Sequence, residues 1–121
     1  MMKSPKGFSY SGINCGIKAA RKDMALVYSD VPCAAAGCFT VNASRAAPVR
    51  DAAQRFPMSG LRAIVVNSGN ANALTGAAGE EDVRTVASAV GKALGVEGEA
   101  VVCASTGVIG VRLPVQKLVD A

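Results

Sequence analysis

Histidine is missing from this 121-residue chain. Its absence means that the chain alone supplies neither a Ser-His-Asp nor a Cys-His nucleophile system. It also leaves the cysteines without the partner that most zinc sites use. Cys15, Cys33, Cys38 and Cys103 show no C-x-x-C spacing, so no metal site is expected. Each sits beside Gly or Ala or in an apolar run, and all four read as small core fillers. Aromatic residues are scarce: Phe8, Phe39, Phe56, Tyr10 and Tyr28 are the full set. The apolar half of the composition is therefore mostly Ala and Val. Such a core holds little area per side chain, and it is expected to lean on another chain or domain. No run approaches the ~20 apolar residues that a membrane helix needs. The opening Met-Met-Lys-Ser-Pro-Lys-Gly lacks the apolar segment of a signal peptide. The expectation is a cytoplasmic protein with reduced thiols and no membrane contact.

Acidic residues are absent from the first 22 positions, whereas Lys3, Lys6, Lys18, Arg21 and Lys22 all precede Asp23. The formal charge is +4. The basic residues are neither dense nor interleaved with aromatics, which argues against a nucleic-acid partner. They read as a solvated basic segment. Phosphate-binding signatures are missing too, since no stretch fits G-x-x-x-x-G-K-[ST] or the dinucleotide fingerprint.

What is present has a clear order. Phe8 to Gly12 reads as a strand, and Ile13 to Lys18 as a turn with a second extended piece. Met24 to Ser29 reads as a strand closed by Asp30 and Pro32, and Ala34 to Thr40 as another. This tight spacing predicts a meander. Pro48 and Pro57 bracket a short helix, Val49 to Phe56. Leu61-Arg-Ala-Ile-Val-Val66 is the clearest strand, and it runs into Asn67-Ser-Gly-Asn-Ala-Asn-Ala73, which reads as a structured loop. Gly79 to Leu94 is a helix whose Val83, Val86, Ala87, Val90, Ala93 and Leu94 form one apolar stripe. Glu80, Glu81 and Asp82 read as a solvated first turn suited to the helix dipole, Lys92 sits in the last turn, and Gly95 is the C-terminal cap. Ala100 to Cys103 is a buried strand. Pro114 is expected at the first position of a second helix reaching Ala121. The fold class is therefore a mixed α/β (α+β) layer structure. A helix stopping so soon after Pro114 suggests that residues 1–121 are a single, incomplete domain.

Two segments carry potential chemistry. The first is the Asn-rich loop, with Asn67, Asn70 and Asn72 as candidate substrate-binding amides. The alternative is an Asx-rich turn joining strand to helix. The second is Ala104-Ser-Thr-Gly-Val-Ile-Gly110, at the end of the last strand. Gly107 offers a backbone N–H unobstructed by a Cβ, and Thr106 a hydroxyl on a stiff β-branched carbon. Together they suit an oxyanion hole. The alternative is a strand-to-helix turn with glycine at a special φ.

Val65-Val-Asn-Ser-Gly-Asn-Ala-Asn-Ala73, Thr75-Gly76 and Ala104 to Gly110 together resemble the N-terminal part of the bifunctional ornithine acetyltransferase (glutamate N-acetyltransferase) family. Lys6-Gly-Phe8, Gly16-Ile-Lys18, Ser29-Asp-Val-Pro32 and Ala36-Gly-Cys-Phe-Thr-Val-Asn42 add to the resemblance. It implies the N-terminal part of an αββα sandwich of the self-cleaving, N-terminal-nucleophile type. It implies acetyl transfer from N-acetylornithine to glutamate in arginine biosynthesis, with acetyl-CoA as a further possible donor and no cofactor. The precursor would cleave itself before a threonine that becomes the nucleophile, leaving α and β chains in a hetero-oligomer. By this resemblance the oxyanion pair falls on Thr106 and Gly107, and no nucleophile falls within this chain, which alone should be inactive. Two other readings stay open: a fragment of a self-cleaving aminopeptidase or amidohydrolase, and a non-enzymatic stand-alone domain.

Overall fold

A computed structural model describes residues 4–121. Lys3 and the first two methionines lie outside the described residues. Among the described residues, four strands form one sheet in the order β1-β2-β3-β4. β1 (Phe8–Ile13), β2 (Met24–Ala35) and β3 (Met58–Asn70) run antiparallel as a meander. β4 (Val101–Val108) pairs parallel with β3. That reversal requires a crossover, which α2 (Gly76–Leu94) supplies. Two short helices, α1 (Ala47–Arg55) and α3 (Val115–Val119), complete the elements, apart from a single 3-10 turn at Gly98–Ala100. The mixed α/β class expected from the sequence is what forms.

Alternation along the strands sorts residues onto two faces. Met24, Leu26 and Tyr28 of β2, Ala63 and Val65 of β3, and Val101 and Cys103 of β4 share the face that packs on the helices. The core there is built from Ala, Val, Cys and Leu: Ala47 of α1, Val83, Val86, Ala87 and Val90 of α2, then Leu113 and Leu118. No aromatic ring stands at its centre. The opposite face carries Tyr10, Val27, Ile64, Val66, Ala104 and Thr106. Of these, Tyr10, Ala104 and Thr106 are exposed and the other three half-buried.

Several sequence-based expectations are corrected. β2 does not stop at Asp30 but continues through Pro32 to Ala35, with its pairing register broken between Tyr28 and Cys33. A proline fits a strand at such an irregularity, where no ladder donor is needed. Residues 36–40 are consequently not a strand, and residues 14–22 form a loop rather than an extended piece. α1 begins two residues earlier than Val49, with Pro48 in its first turn. α2 begins at Gly76, which moves Glu80, Glu81 and Asp82 out of the first turn. They are not simply solvated: Glu80 pairs with Arg50 at 2.9 Å, and Asp82 is buried against Arg112 at 3.0 Å. Pro114 is the N-cap of α3 rather than its first residue. Gly95 does close α2 in the left-handed conformation, at φ 69°, as a Gly after the last apolar stripe residue predicts.

Candidate functional site

The Asn67–Asn70 stretch and the Ser105–Val108 stretch are not turns. Both are the last residues of paired parallel strands, with Asn67 opposite Ser105, Ser68 opposite Thr106 and Gly69 opposite Gly107. Two things allow an Asn- and Gly-rich sequence to continue a strand here. The asparagine amides find partners within the chain, and the two facing glycines let the backbones close in.

The asparagines are buried. Asn67 Nδ2 donates to the Asn70 carbonyl at 2.8 Å, and Asn67 Oδ1 accepts from the Ser105 hydroxyl at 2.6 Å. Asn70 Nδ2 donates to the carbonyls of Val111 and Arg112, at 3.0 and 3.1 Å. Its Oδ1 accepts the Asn72 N–H at 2.8 Å. Asn72, at φ 46°, donates to the Gly79 carbonyl at 2.9 Å and accepts from Thr75 Oγ1 at 2.8 Å. All three candidate amides are thus engaged in tying the strand ends to α2 and to the segment after β4. Their geometry makes them the frame of the site. The Asp82–Arg112 pair fastens the same segment from the α2 side, and the buried carboxylate holds the Arg112 guanidinium above its ordinary value.

Thr106 and Gly107 stand on that frame. Thr106 is exposed, on the sheet face away from the helices, and no partner among the described residues bonds its hydroxyl. β4 is an edge strand, so part of its backbone faces outward unpaired. Gly107 has φ 133°, and a Cβ built there would lie 2.6 Å from the Asn70 nitrogen and closer still to the backbone of Gly69. Only glycine fits that approach. The result is an accessible hydroxyl at a fixed place beside backbone that a side chain does not shield.

What lies on the other side of this pair is not visible in the sequence. The loop of residues 14–22 folds over the end of β3 around Asp23, which is buried. Asp23 Oδ1 accepts the Cys15 N–H and Oδ2 the Lys18 N–H, both at 2.6 Å. Burial pushes the Asp23 carboxyl up, but these backbone hydrogen bonds outweigh it and hold the group at about 2. Ile17 lies directly over Gly69, whose missing Cβ makes room for it. Lys18 crosses the same glycine and donates from Nζ to Ser68 Oγ at 2.5 Å. Lys18 is therefore half-buried, not part of a solvated basic run. The available signal was an isolated Lys following the Gly-Ile pair, but nothing local ties it to Ser68, fifty residues away.

The cysteines divide. Cys103 is buried, Cys15 and Cys33 are half-buried and Cys38 is exposed, so the core-filler reading fails for Cys38. Among the described residues no group of three or more His, Cys, Asp or Glu side chains is placed to hold a metal ion, and no helix is long and apolar enough to cross a membrane.

Known proteins are similar to this chain in sequence and fold. The chain is 50% identical over 117 residues to the arginine biosynthesis bifunctional protein ArgJ of Thermotoga neapolitana, a match covering 94% of this chain and 29% of that protein. It is 49% identical to the mitochondrial ArgJ of Fusarium vanettenii, covering 96% and 27%. It thus spans less than a third of the length of these curated relatives. The crystal structure of the ornithine acetyltransferase of Mycobacterium tuberculosis complexed with ornithine superposes with a TM-score of 0.92 at 44% identity, over 97% of this chain and 64% of that one. The ArgJ structure from Bacillus halodurans gives 0.90 at 36% identity, over 95% and 61%. The ArgJ family model matches residues 9–121, and the chain belongs to the ArgJ family.

Proposed function

We propose that this chain contributes the oxyanion-binding part of an acetyltransferase of arginine biosynthesis, which moves acetyl from N-acetylornithine to glutamate. The observation that carries the proposal is the pairing of Thr106, exposed and unbonded, with Gly107, locked by its approach to Gly69. The names of the relatives and the ornithine bound to the Mycobacterium relative support the substrate class.

In this reading the nucleophile is a threonine hydroxyl outside these residues, freed by self-cleavage of a precursor, with its own α-amine as base. The hydroxyl oxygen attacks the acetyl carbonyl carbon, its proton passes to the amine, and the carbonyl electron pair moves onto oxygen. Thr106 Oγ1 and the Gly107 N–H hold that charge. The intermediate collapses, the C–N bond breaks, and ornithine leaves with the proton. The α-amine of glutamate then attacks the acetyl-threonine by the reverse sequence. Acetyl-CoA entering the first half-reaction would serve as an alternative donor, and neither half needs a cofactor. The remaining layers of an αββα sandwich, an α/β hetero-oligomer and a cytoplasmic site of action belong to the same proposal, as does the inactivity of residues 1–121 alone.

The test is acetyl transfer from N-acetylornithine to glutamate by the full-length protein, wild type against Thr106→Ala. Loss of one oxyanion donor lowers kcat by about 10²- to 10³-fold and leaves KM nearly unchanged. A variant with wild-type kcat removes Thr106 from the mechanism.

A further inference from the structure

Lys18 ends on Ser68, the residue opposite Thr106 in the neighbouring strand. Its backbone N–H is bonded to Asp23, which positions it at the rim of the sheet. Its stem runs over Gly69, with Cγ and Cε 3.5 and 3.6 Å from where a Cβ would stand. Its ammonium ends on Ser68 Oγ. Ser68 and Thr106 are cross-strand partners, and partners in a ladder project their side chains to the same face. The ammonium is thus brought to the face on which Thr106 is exposed.

No carboxylate neutralises it. Four ion pairs form among the described residues, and Lys18 is in none of them. The nearest acid along the loop, Asp23, spends its two oxygens on the N–H groups of Cys15 and Lys18 and on the Asn14 amide. A half-buried ammonium satisfied only by a neutral hydroxyl is poorly compensated for the water it has given up. If its purpose were to pin the loop, an uncharged donor would do this at lower cost, because Asp23 already pins the loop from inside. Ser68, for its part, accepts from Lys18 and keeps its own proton, for which the described residues provide no acceptor. A hydroxyl that accepts from a cation is a stronger donor in turn.

We propose that Lys18, acting through Ser68, is a positioning residue that supplies positive charge behind the Thr106–Gly107 anion site and stabilises the oxyanion of the tetrahedral intermediate. The proposal rests on the acetyl-transfer reading above. It assigns Lys18 to charge that develops during reaction, so its loss falls on kcat rather than on KM.

The experiment uses the full-length protein with Lys18→Met, Lys18→Arg and Ser68→Ala, each compared with wild type for kcat, KM for N-acetylornithine and thermal midpoint. Lys18→Met is expected to lower kcat by about 10- to 100-fold with KM within about twofold, somewhat less than loss of a direct donor. Lys18→Arg, which keeps the charge, recovers a substantial part of that loss. Ser68→Ala leaves the ammonium but removes its intermediary, and lowers kcat with KM likewise nearly unchanged; it also carries the test if Lys18→Met does not fold. The proposal is overturned by wild-type kcat in Lys18→Met or Ser68→Ala, by a rise in KM at unchanged kcat, or by an Arg variant as slow as the Met variant at equal thermal stability. A wild-type protein that transfers no acetyl overturns the reaction assignment and this proposal together. An active wild type with an equally active Lys18→Met overturns this proposal alone.

Discussion

Gly107 is constrained in two ways that a pair of substitutions separates. Its φ of 133° lies where side-chain-bearing residues are strained, and its Cα faces the Gly69–Asn70 backbone too closely for any Cβ. Gly60, also in β3, has a similar φ of 118° with nothing within 4 Å of its would-be Cβ. Gly60→Ala therefore carries the conformational penalty alone, about 1–2 kcal/mol. Gly107→Ala carries that penalty and must also separate two backbones whose side-chain frame, Asn67 to Ser105 and Asn70 to residues 111 and 112, is fully engaged. It is expected to cost about 3 kcal/mol or more, in the range of the larger single-residue effects. Urea unfolding of the two variants checks this; equal losses would show that the close approach relaxes freely. The same contrast explains why Gly107 suits the proposed oxyanion role. The glycine that bares the backbone is the one the neighbouring strand requires.

At the scale of elements, the sequence was legible wherever one pattern dominated. The apolar stripe of α2 from Val83 to Val90, its Gly95 cap and the Leu61–Val66 run of β3 stand as read, because each is set by local periodicity, whereas Ala93 at the end of the stripe is exposed. The strand ends were not legible. Asn67 to Asn70 looks like a turn because Asn and Gly disfavour strands on average. What overrides this is a set of bonds to residues up to 42 positions away. β2 was split at Asp30 and Pro32 for the same reason: the irregularity that accommodates the proline is visible only once β3 is beside it. The candidate site was half legible. Thr106 and Gly107 were identifiable from their types and from the family resemblance, whereas the loop carrying Lys18 is organised by one buried carboxylate whose partners are all backbone N–H groups and an amide. That loop has a pH signature. The folded Asp23 carboxyl titrates at about 2, below its ordinary value of 3.8. Its contribution to stability is therefore complete above the ordinary value and is lost as pH falls from there through the folded value. Thermal midpoints of wild type should fall between about pH 4 and pH 2 more steeply than those of Asp23→Asn, which is less stable at neutral pH and lacks this titration. Parallel curves for the two proteins would mean that Asp23 does not hold the loop.

For the whole molecule, the decisive fact is how little each core residue buries. Ala and Val fill the space between sheet and helices, and the far face leaves Tyr10 and Ala104 exposed beside half-buried Val27, Ile64 and Val66. Small side chains gain roughly half as much on burial as Leu or Phe, so stability depends on the whole cluster closing at once rather than on one dominant anchor. Cys103 reports on that closure. It lies in the cluster between β4 and α2, with Sγ 3.7 Å from the Val83 carbonyl. Burial pushes its thiol up to about 12, so in the folded chain it is neither accessible nor ionised at neutral pH. Cys38, exposed in the segment between β2 and α1, is free to react. A thiol reagent at pH 8 should therefore modify Cys38 within the mixing and reaction time of a free thiol. In a variant retaining only Cys103, labelling should be slower by several orders of magnitude and should accelerate with urea along the same slope as global unfolding followed by circular dichroism. A shallower slope would mean that β4 detaches from α2 while the meander stays folded. Such detachment is what an edge strand with a single sheet neighbour risks, and the bonds of Asn67 and Asn70 to Ser105 and to residues 111 and 112 are placed to prevent it. Adding Asn70→Ala to the Cys103-only variant should therefore flatten the slope and speed labelling, even where circular dichroism still reports a folded chain.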